Sequence, residues 1–180
     1  MRRALVIAIG IAALGALSGV AAYERTGPRA GEWQEIAWPF PRDGWPAGKA
    51  FRCGAAVCGE GVEVYVRPKI GFCNCDIGVA DDDEVDRVAD LDLISPRFAP
   101  REAGEVVRVA DMPGRMRAYD LTMPDGMRYT AVGIAVSHRC DLLVAVAQGK
   151  GDAPMVQRAA LTFLATEKMT NWMAAAMDGR

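Results

Sequence analysis

The side chains best suited to chemistry in this sequence belong to five cysteines and a single histidine. They are Cys53, Cys58, Cys73, Cys75, Cys140 and His138. Thiolates and imidazoles bind metal ions, and thiols also form disulfides or act as nucleophiles. The spacing of these residues therefore has to decide between metal binding, redox chemistry and structural cross-links.

The closest pair is Cys73 and Cys75, in the segment Cys-Asn-Cys. With His138 and Cys140 this pair could form a ligand set for Cu(I), which prefers soft sulfur ligands. Thioethers are also available from Met112, Met116, Met123 and Met127. Methionine is, however, a common core filler, and neither a zinc-type ligand spacing nor the Cys-x-x-Cys of thiol-exchange proteins occurs. Copper binding or thiol-redox chemistry is therefore the alternative interpretation.

The N-terminus predicts export. Two arginines precede an apolar run, and Ala4–Ala22 contains no charged residue. The small residues before Tyr23 are typical of a signal peptide cleaved after Ala22, but the run is also about long enough for an uncleaved membrane anchor. With either reading of residues 1–22, the rest of the chain is expected in the periplasm, free or anchored to the inner membrane. Residues 23–32 read as a linker.

Exported proteins meet an oxidising compartment, so disulfides are expected. The disulfide candidates are Cys53, Cys58, Cys73 and Cys75, with two bridges tying together the loops before and after the strand predicted at Val62–Lys69. The sequence does not fix the pairing. Because the number of cysteines is odd, Cys140 remains as the candidate free thiol.

The charge pattern argues against nucleic-acid binding. The net charge is −2 for the whole chain and −4 if residues 1–22 and their two arginines are removed. The arginines between residues 97 and 117 alternate with acidic residues and form no basic stripe of the kind that phosphate backbones require. We therefore expect no nucleic-acid partner, and membrane contact only through an uncleaved N-terminus.

The hydrophobic patterns predict an α+β domain over residues 33–180. Apolar residues alternate with polar ones in Val62–Lys69, the pattern of a half-buried strand. Four further strands follow at Glu105–Ala110, Met116–Met123, Arg128–Val136 and Asp141–Gln148, separated by short turns, with Met112–Gly114 forming the first turn. This spacing predicts an antiparallel meander, and about five strands in total.

Two helices are expected to accompany this sheet. Asp81 and Glu84 fit the start of a short helix over Asp81–Leu91. From Ala153 onwards the apolar period becomes helical, which predicts a long C-terminal helix packed on one face of the sheet. Its later apolar residues are rotated from the earlier ones, so a bend or a second contact surface is expected near its end.

An aromatic arm, Trp33–Pro46, contains three of the four tryptophans and three prolines. The prolines exclude a long helix and favour an extended chain over the core. The candidate partner surface consists of Trp33, Trp38, Trp45 and Trp172, although packing of these rings on their own domain is the more common arrangement.

No pattern in the sequence predicts a catalytic site. His138 is the only histidine that could serve as a base to a nucleophile, and it falls in a predicted turn. The sequence therefore favours a non-enzymatic, disulfide-stabilised binding or accessory module that needs no cofactor. Its expected partner is another protein of the cell envelope.

Overall fold

The described part of the chain, residues 33–58, 61–71 and 77–178 of a computed structural model, is built around one antiparallel sheet. Its strands are β1 (Gln34–Ile36), β2 (Lys49–Cys53), β3 (Val62–Lys69), β4 (Phe98–Pro100), β5 (Glu105–Val109), β6 (Met112–Thr122), β7 (Arg128–His138) and β8 (Asp141–Gly149). The predicted export segment, the linker and the pair Cys73 and Cys75 lie outside the described residues. Within the described ranges, no helix is long and apolar enough to cross a membrane.

The α+β class and the antiparallel sheet are confirmed, but the sheet has eight strands within the described residues rather than about five. Their order is β1-β2-β3-β8-β7-β6-β4, and β5 also pairs with β6. The additional strands β1, β2 and β4 are three to five residues long. Segments of this length contain too few alternations to produce a period-2 signal.

The turn between β5 and β6 differs from the prediction. It lies at Ala110 and Asp111, which have φ values of 47° and 65°, whereas Met112–Gly114 already belongs to β6. Two consecutive residues with positive φ are typical of the two-residue hairpin turn that matches strand twist. Gly114 is required by close packing, since a Cβ there would lie 2.0 Å from the carbonyl oxygen of Ala135.

The described helices are α1 (Ala55–Cys58), α2 (Asp82–Val88), α3 (Leu91–Ile94), α4 (Ala153–Leu164) and α5 (Glu167–Met177). As predicted, Asp81 caps α2, and its carboxylate accepts a hydrogen bond from the Glu84 N–H at 2.9 Å. The expected helix over Asp81–Leu91 is nevertheless two shorter ones, because Ala89 adopts an extended conformation after α2.

The C-terminal helix is also divided. Ala165 ends α4, and Thr166 is extended, with φ −67° and ψ 146°, before α5 begins. The break lets both apolar stripes face the same core: Phe163 and Leu164 from α4, and Met169 and Met173 from α5, are all buried in it. The rotation between the stripes thus corresponds to a break in the helix.

The sheet separates two cores. On one face, α4 and α5 cover Val62, Val64 and Val66 of β3 together with β7 and β8. On the other face, α2 and α3 bury Val85 and Leu91 against β6, β7 and β8. Over β3, this second face carries polar side chains, and the aromatic arm contacts three of them, Tyr65, Arg67 and Lys69.

Candidate functional site

Four alternate residues of β3 form a buried polar strip, which we call the β3 polar row: Glu63, Tyr65, Arg67 and Lys69. Their side chains lie on the sheet face opposite the α4–α5 core because successive side chains of a strand point to opposite faces. Tyr65, Arg67 and Lys69 are only 6%, 2% and 6% exposed. Sequence alternation predicts this row as the solvent-facing side of a half-buried strand, and the structure instead buries most of it.

Arg67 and Lys69 share one buried carboxylate, that of Asp90, which follows α2. The Nε and Nη2 atoms of Arg67 lie 2.6 and 2.7 Å from the two Asp90 oxygens. Lys69 Nζ lies 2.8 Å from Asp90 Oδ1 and donates to the Val88 carbonyl, also at 2.8 Å. Asp90 thus forms ion pairs with both buried cations.

A second carboxylate comes from the aromatic arm. Asp43 accepts from Nη1 of Arg67 at 2.9 Å and from Nη2 at 2.7 Å. The Arg67 guanidinium also lies 5.8 Å from the Trp38 ring centroid, and Lys69 Nζ lies 5.9 Å from that of Trp45. The arm therefore contributes a second carboxylate to Arg67 and two aromatic faces suited to cations.

The arm loop encloses a cavity of about 270 Å³, which we call the arm cavity. Arg67 lines it together with Trp38, Phe40, Trp45 and Asp43. Phe40 packs edge-on against Tyr65 with ring centroids 4.8 Å apart. The lining combines aromatic rings with two guanidinium groups, those of Arg67 and Arg42. This combination suits a carboxylate attached to an apolar or aromatic body.

The electrostatics of this site follow from its hydrogen bonds. Arg67 holds the pKa of Asp43 at about 2, chiefly through its side-chain hydrogen bonds. Burial alone would lower the pKa of Arg67, but the bonds to Asp90 and Asp43 outweigh burial and raise it. Both groups are therefore charged at neutral pH.

The other end of the β3 polar row carries a buried carboxylate network. Tyr65 donates to Glu63, and Gln148 on β8 donates from Nε2 to Glu63 at 3.1 Å and to the Tyr65 hydroxyl at 3.0 Å. Arg52 on β2 lies 2.7 Å from Glu63. A cavity of about 380 Å³, which we call the Glu63 cavity, is lined by Arg52, Gly61, Glu63, Met123, Tyr129 and Gln148.

The structure confirms Cys53 and Cys58 as disulfide residues but corrects the pairing. They bond to each other, with Cα atoms 5.9 Å apart, so this bridge does not connect the two ends of β3. The short helix α1 brings the two cysteines together in the segment that precedes β3.

Cys140 is also disulfide-bonded, so the prediction of a free thiol there is wrong. Oxidation is the expected state of cysteines in an exported protein.

The structure gives little support to the candidate copper ligand set. A sulfur in a disulfide is no thiolate ligand, which removes Cys140 from the set while it stays oxidised. Met112 and Met116 are buried in the core, as core fillers are. The described ranges contain no group of three or more histidine, cysteine or acidic side chains able to hold a metal ion. Copper binding at Cys73 and Cys75 stays a prediction.

The four candidate partner-surface tryptophans all contact their own domain. Trp33 stacks on Phe163 with ring centroids 4.3 Å apart, Trp38 and Trp45 lie over the two cations of β3, and the Trp172 ring centroid is 5.8 Å from Lys49 Nζ. Each ring is also partly exposed. His138 ends β7 beside Arg139, away from the β3 polar row.

Sequence reasoning misses Arg67, Lys69, Asp90 and Asp43 as site residues. The available signal is weak: two cations flank Pro68 in a strand, and one carboxylate lies within an aromatic, proline-rich arm. Because the partners are separated by 23 and 24 residues, their convergence depends on tertiary structure.

Comparison with known proteins does not identify a family. No protein-family model matches the chain, and no curated protein matches it. Among solved structures, the chain is similar to PA94, a Pseudomonas aeruginosa protein of unknown function, at 14% identity, with a TM-score of 0.38 over 78% of this chain and 85% of that one. A likeness of this degree supports no functional argument, so the function has to be inferred from the site.

Proposed function

We propose that the protein is an exported, non-enzymatic binding module that takes a carboxylate of its ligand or envelope partner in the arm cavity, at Arg67. The observation that supports this most strongly is the bidentate bond between Arg67, which is 2% exposed, and Asp43, which is supplied by a loop. A bidentate guanidinium–carboxylate pair is a specific recognition geometry.

The carboxylates around Arg67 support the binding of a ligand anion in place of Asp43. Arg67 and Lys69 are two buried cations, and both pair with the carboxylate of Asp90, which the packed body of the domain contributes. Asp43 supplies the second from the arm, and its side chain is 28% exposed. An uncompensated buried charge is strongly unfavourable. Asp43 is therefore expected to leave Arg67 only when a ligand carboxylate takes its place.

The walls of the arm cavity indicate what the carboxylate is attached to. Trp38, Phe40 and Trp45 present rigid aromatic surface, and Pro41 and Pro46 limit the flexibility of the loop. Aromatic side chains provide large contact areas at low entropic cost. We therefore infer an aromatic or apolar carboxylate, either free or as an acidic residue or C-terminus of a partner protein.

The direct test uses benzoate as the probe and tryptophan fluorescence as the readout, because Trp38 and Trp45 line the cavity. The full exported chain is titrated alongside Asp43→Asn, which removes the internal competitor. We expect saturable quenching, with an affinity about tenfold higher in the variant, since a hydrogen bond to a charged group contributes roughly 1.5–3 kcal/mol.

Asp120→Asn provides the matched control, because Asp120 pairs with Arg101 on the surface at 3.1 Å, far from the arm. It should titrate like the wild type. An acetylated peptide ending in Trp-Asp and its amidated form distinguish a protein carboxylate from a small acid. If neither benzoate nor the peptide alters the fluorescence of the wild type or of Asp43→Asn, the carboxylate site is ruled out.

A further inference from the structure

We propose a second binding site, for an organic cation, in the Glu63 cavity. The chemical class is an alkylammonium or guanidinium group. The site has the opposite charge preference to the arm cavity and lies four residues away on the same strand, a separation of about 13 Å. The proposal does not depend on the function proposed for Arg67.

The first supporting feature is the Glu63 carboxylate. Its side chain is 22% exposed, so it is partly shielded from water but can be reached from the cavity. Burial would raise the pKa of Glu63, but hydrogen bonds from Tyr65, Arg52 and Gln148 together lower it. A preorganised, ionised carboxylate at a cavity wall is suited to charge-assisted hydrogen bonds from a cation.

The second feature is an acceptor that has no donor. Gln148 is 7% exposed, and both contacts of its Nε2 are already made, to Glu63 and Tyr65. Its carbonyl oxygen Oε1 is buried and has no hydrogen-bond partner among the described residues. Since a buried unsatisfied acceptor is costly, an N–H group that reaches it gains a hydrogen bond without breaking one.

The third feature is an internal guanidinium that already uses the carboxylate. Arg52 donates from Nε to Glu63 at 2.7 Å, yet its side chain is 60% exposed. Exposed ion pairs of this type contribute little to stability, so Arg52 can leave when another cation enters. Its position shows that Glu63 accepts a guanidinium from the cavity side.

The remaining wall suits the apolar part of such a ligand. Tyr129 and Met123 line the cavity, and Lys150 Nζ lies 5.8 Å from the centroid of the Tyr129 ring. That contact shows that this ring can interact with a cation. Polarizable thioether and aromatic groups beside a carboxylate are suited to a cation on a short alkyl chain.

The test measures binding by calorimetry with two probes on the full chain. Agmatine, which carries both a guanidinium and an ammonium group, represents a free amine, and acetyl-Gly-Arg-Gly-amide represents an arginine of a partner protein. We expect saturable binding of at least one probe to the wild type and about threefold tighter binding to Arg52→Ala, the gain expected when an exposed competing ion pair is removed. Glu63→Gln should abolish binding.

Arg101→Ala is the matched control, because it removes an arginine from an exposed carboxylate pair elsewhere on the sheet; its affinity should equal that of the wild type. Circular dichroism establishes whether Glu63→Gln is folded, and Arg52→Ala decides the matter if it is not. Binding of agmatine alone indicates a free amine, and binding of the peptide alone indicates a protein partner. The proposal is wrong if neither probe binds, if Arg52→Ala binds no more tightly than the wild type, or if folded Glu63→Gln still binds.

Discussion

At the scale of single residues, Asp90 is what allows β3 to bury two cations. Its carboxylate contacts both Arg67 and Lys69, and the residue itself is 8% exposed. Lysine and arginine are rarely buried unless they are paired. Replacement of a buried ion pair by apolar side chains is often neutral or stabilising, so the presence of these cations is weak evidence for a role in stability.

Asp90→Asn should therefore destabilise the protein substantially. Loss of one partner from a buried ion pair costs about 3–5 kcal/mol because the buried charge of the other partner loses its compensation. Urea unfolding followed by circular dichroism measures the change in the free energy of unfolding. The comparison is Asp120→Asn, which removes the carboxylate of an exposed pair and should cost about 1 kcal/mol or less. Equal effects of the two variants would contradict a buried network.

The pKa of Asp43 predicts how the arm responds to acid. The carboxyl titrates at about 2 in the folded protein, against an ordinary value of 3.8. A depressed pKa means that the contribution of this group to stability is complete above the ordinary value and is lost as the pH falls from about 4 to about 2. We expect the fluorescence of Trp38 and Trp45 to change across this interval as the arm loses its bond to Arg67.

Asp43→Asn is the control for this titration, because an asparagine side chain does not ionise. Circular dichroism recorded on the same samples separates arm release from global unfolding. If the variant shows the same acid-induced fluorescence change as the wild type, then that change arises elsewhere in the molecule.

At the scale of elements, helices and strands form where the local sequence pattern predicts them unless tertiary packing favours another conformation. The Asp81 cap forms as predicted, and so does the meander from β5 to β8, apart from the shifted turn between β5 and β6. The C-terminal segment does not form one continuous helix. A single helix over α4 and α5 would direct one of its two apolar stripes away from the sheet. Burial of Met169 and Met173 therefore favours a break at Ala165 and Thr166 over one continuous helix.

Local backbone strain in the β5–β6 hairpin can be tested at Ala110. Ala110 has φ 47°, a conformation that costs a non-glycine residue roughly 1–2 kcal/mol. Ala110→Gly should raise the free energy of unfolding by about 0.5 kcal/mol, once the greater freedom of glycine in the unfolded chain is subtracted. Thermal unfolding of Ala118→Gly, in the middle of β6, is the comparison, and this variant should be destabilised. A loss of stability in both would mean that the turn is not strained.

At the scale of the whole molecule, the sheet presents two faces with different tasks. One face is closed by α4 and α5 over an apolar core. The other is closed by α2 and α3 over β6, β7 and β8. Over β3, both the α2–α3 segment, through Asp90 and the Val88 carbonyl, and the aromatic arm contact Arg67 and Lys69. Residues 37–48 of the chain, which include most of the arm, form neither helix nor strand. Loops of this kind are often the parts of a fold that move on binding.

Export and cysteine oxidation give a prediction for the complete chain. We expect the protein recovered after export to have a mass lacking residues 1–22, one alkylatable thiol and no bound copper. One thiol follows because the number of cysteines is odd and Cys53, Cys58 and Cys140 are all in disulfides. Intact mass after alkylation, with a copper assay on the same sample, measures all three. Three or more thiols with copper would favour the metal interpretation instead.

The sequence alone was sufficient to predict the α+β class, the meander, the Asp81 helix start and the use of Cys53 and Cys58 in a disulfide. Each of these depends on residues close together in the chain or on a period that repeats within one element. The short strands, the helix break and the partner of Cys53 depended on contacts between elements. The candidate sites depended on them most, because a buried charge is tolerated only when distant partners converge on it: Asp43 and Asp90 on Arg67, and Gln148 on Glu63. No local pattern encodes such convergence, and only the folded chain supplies it.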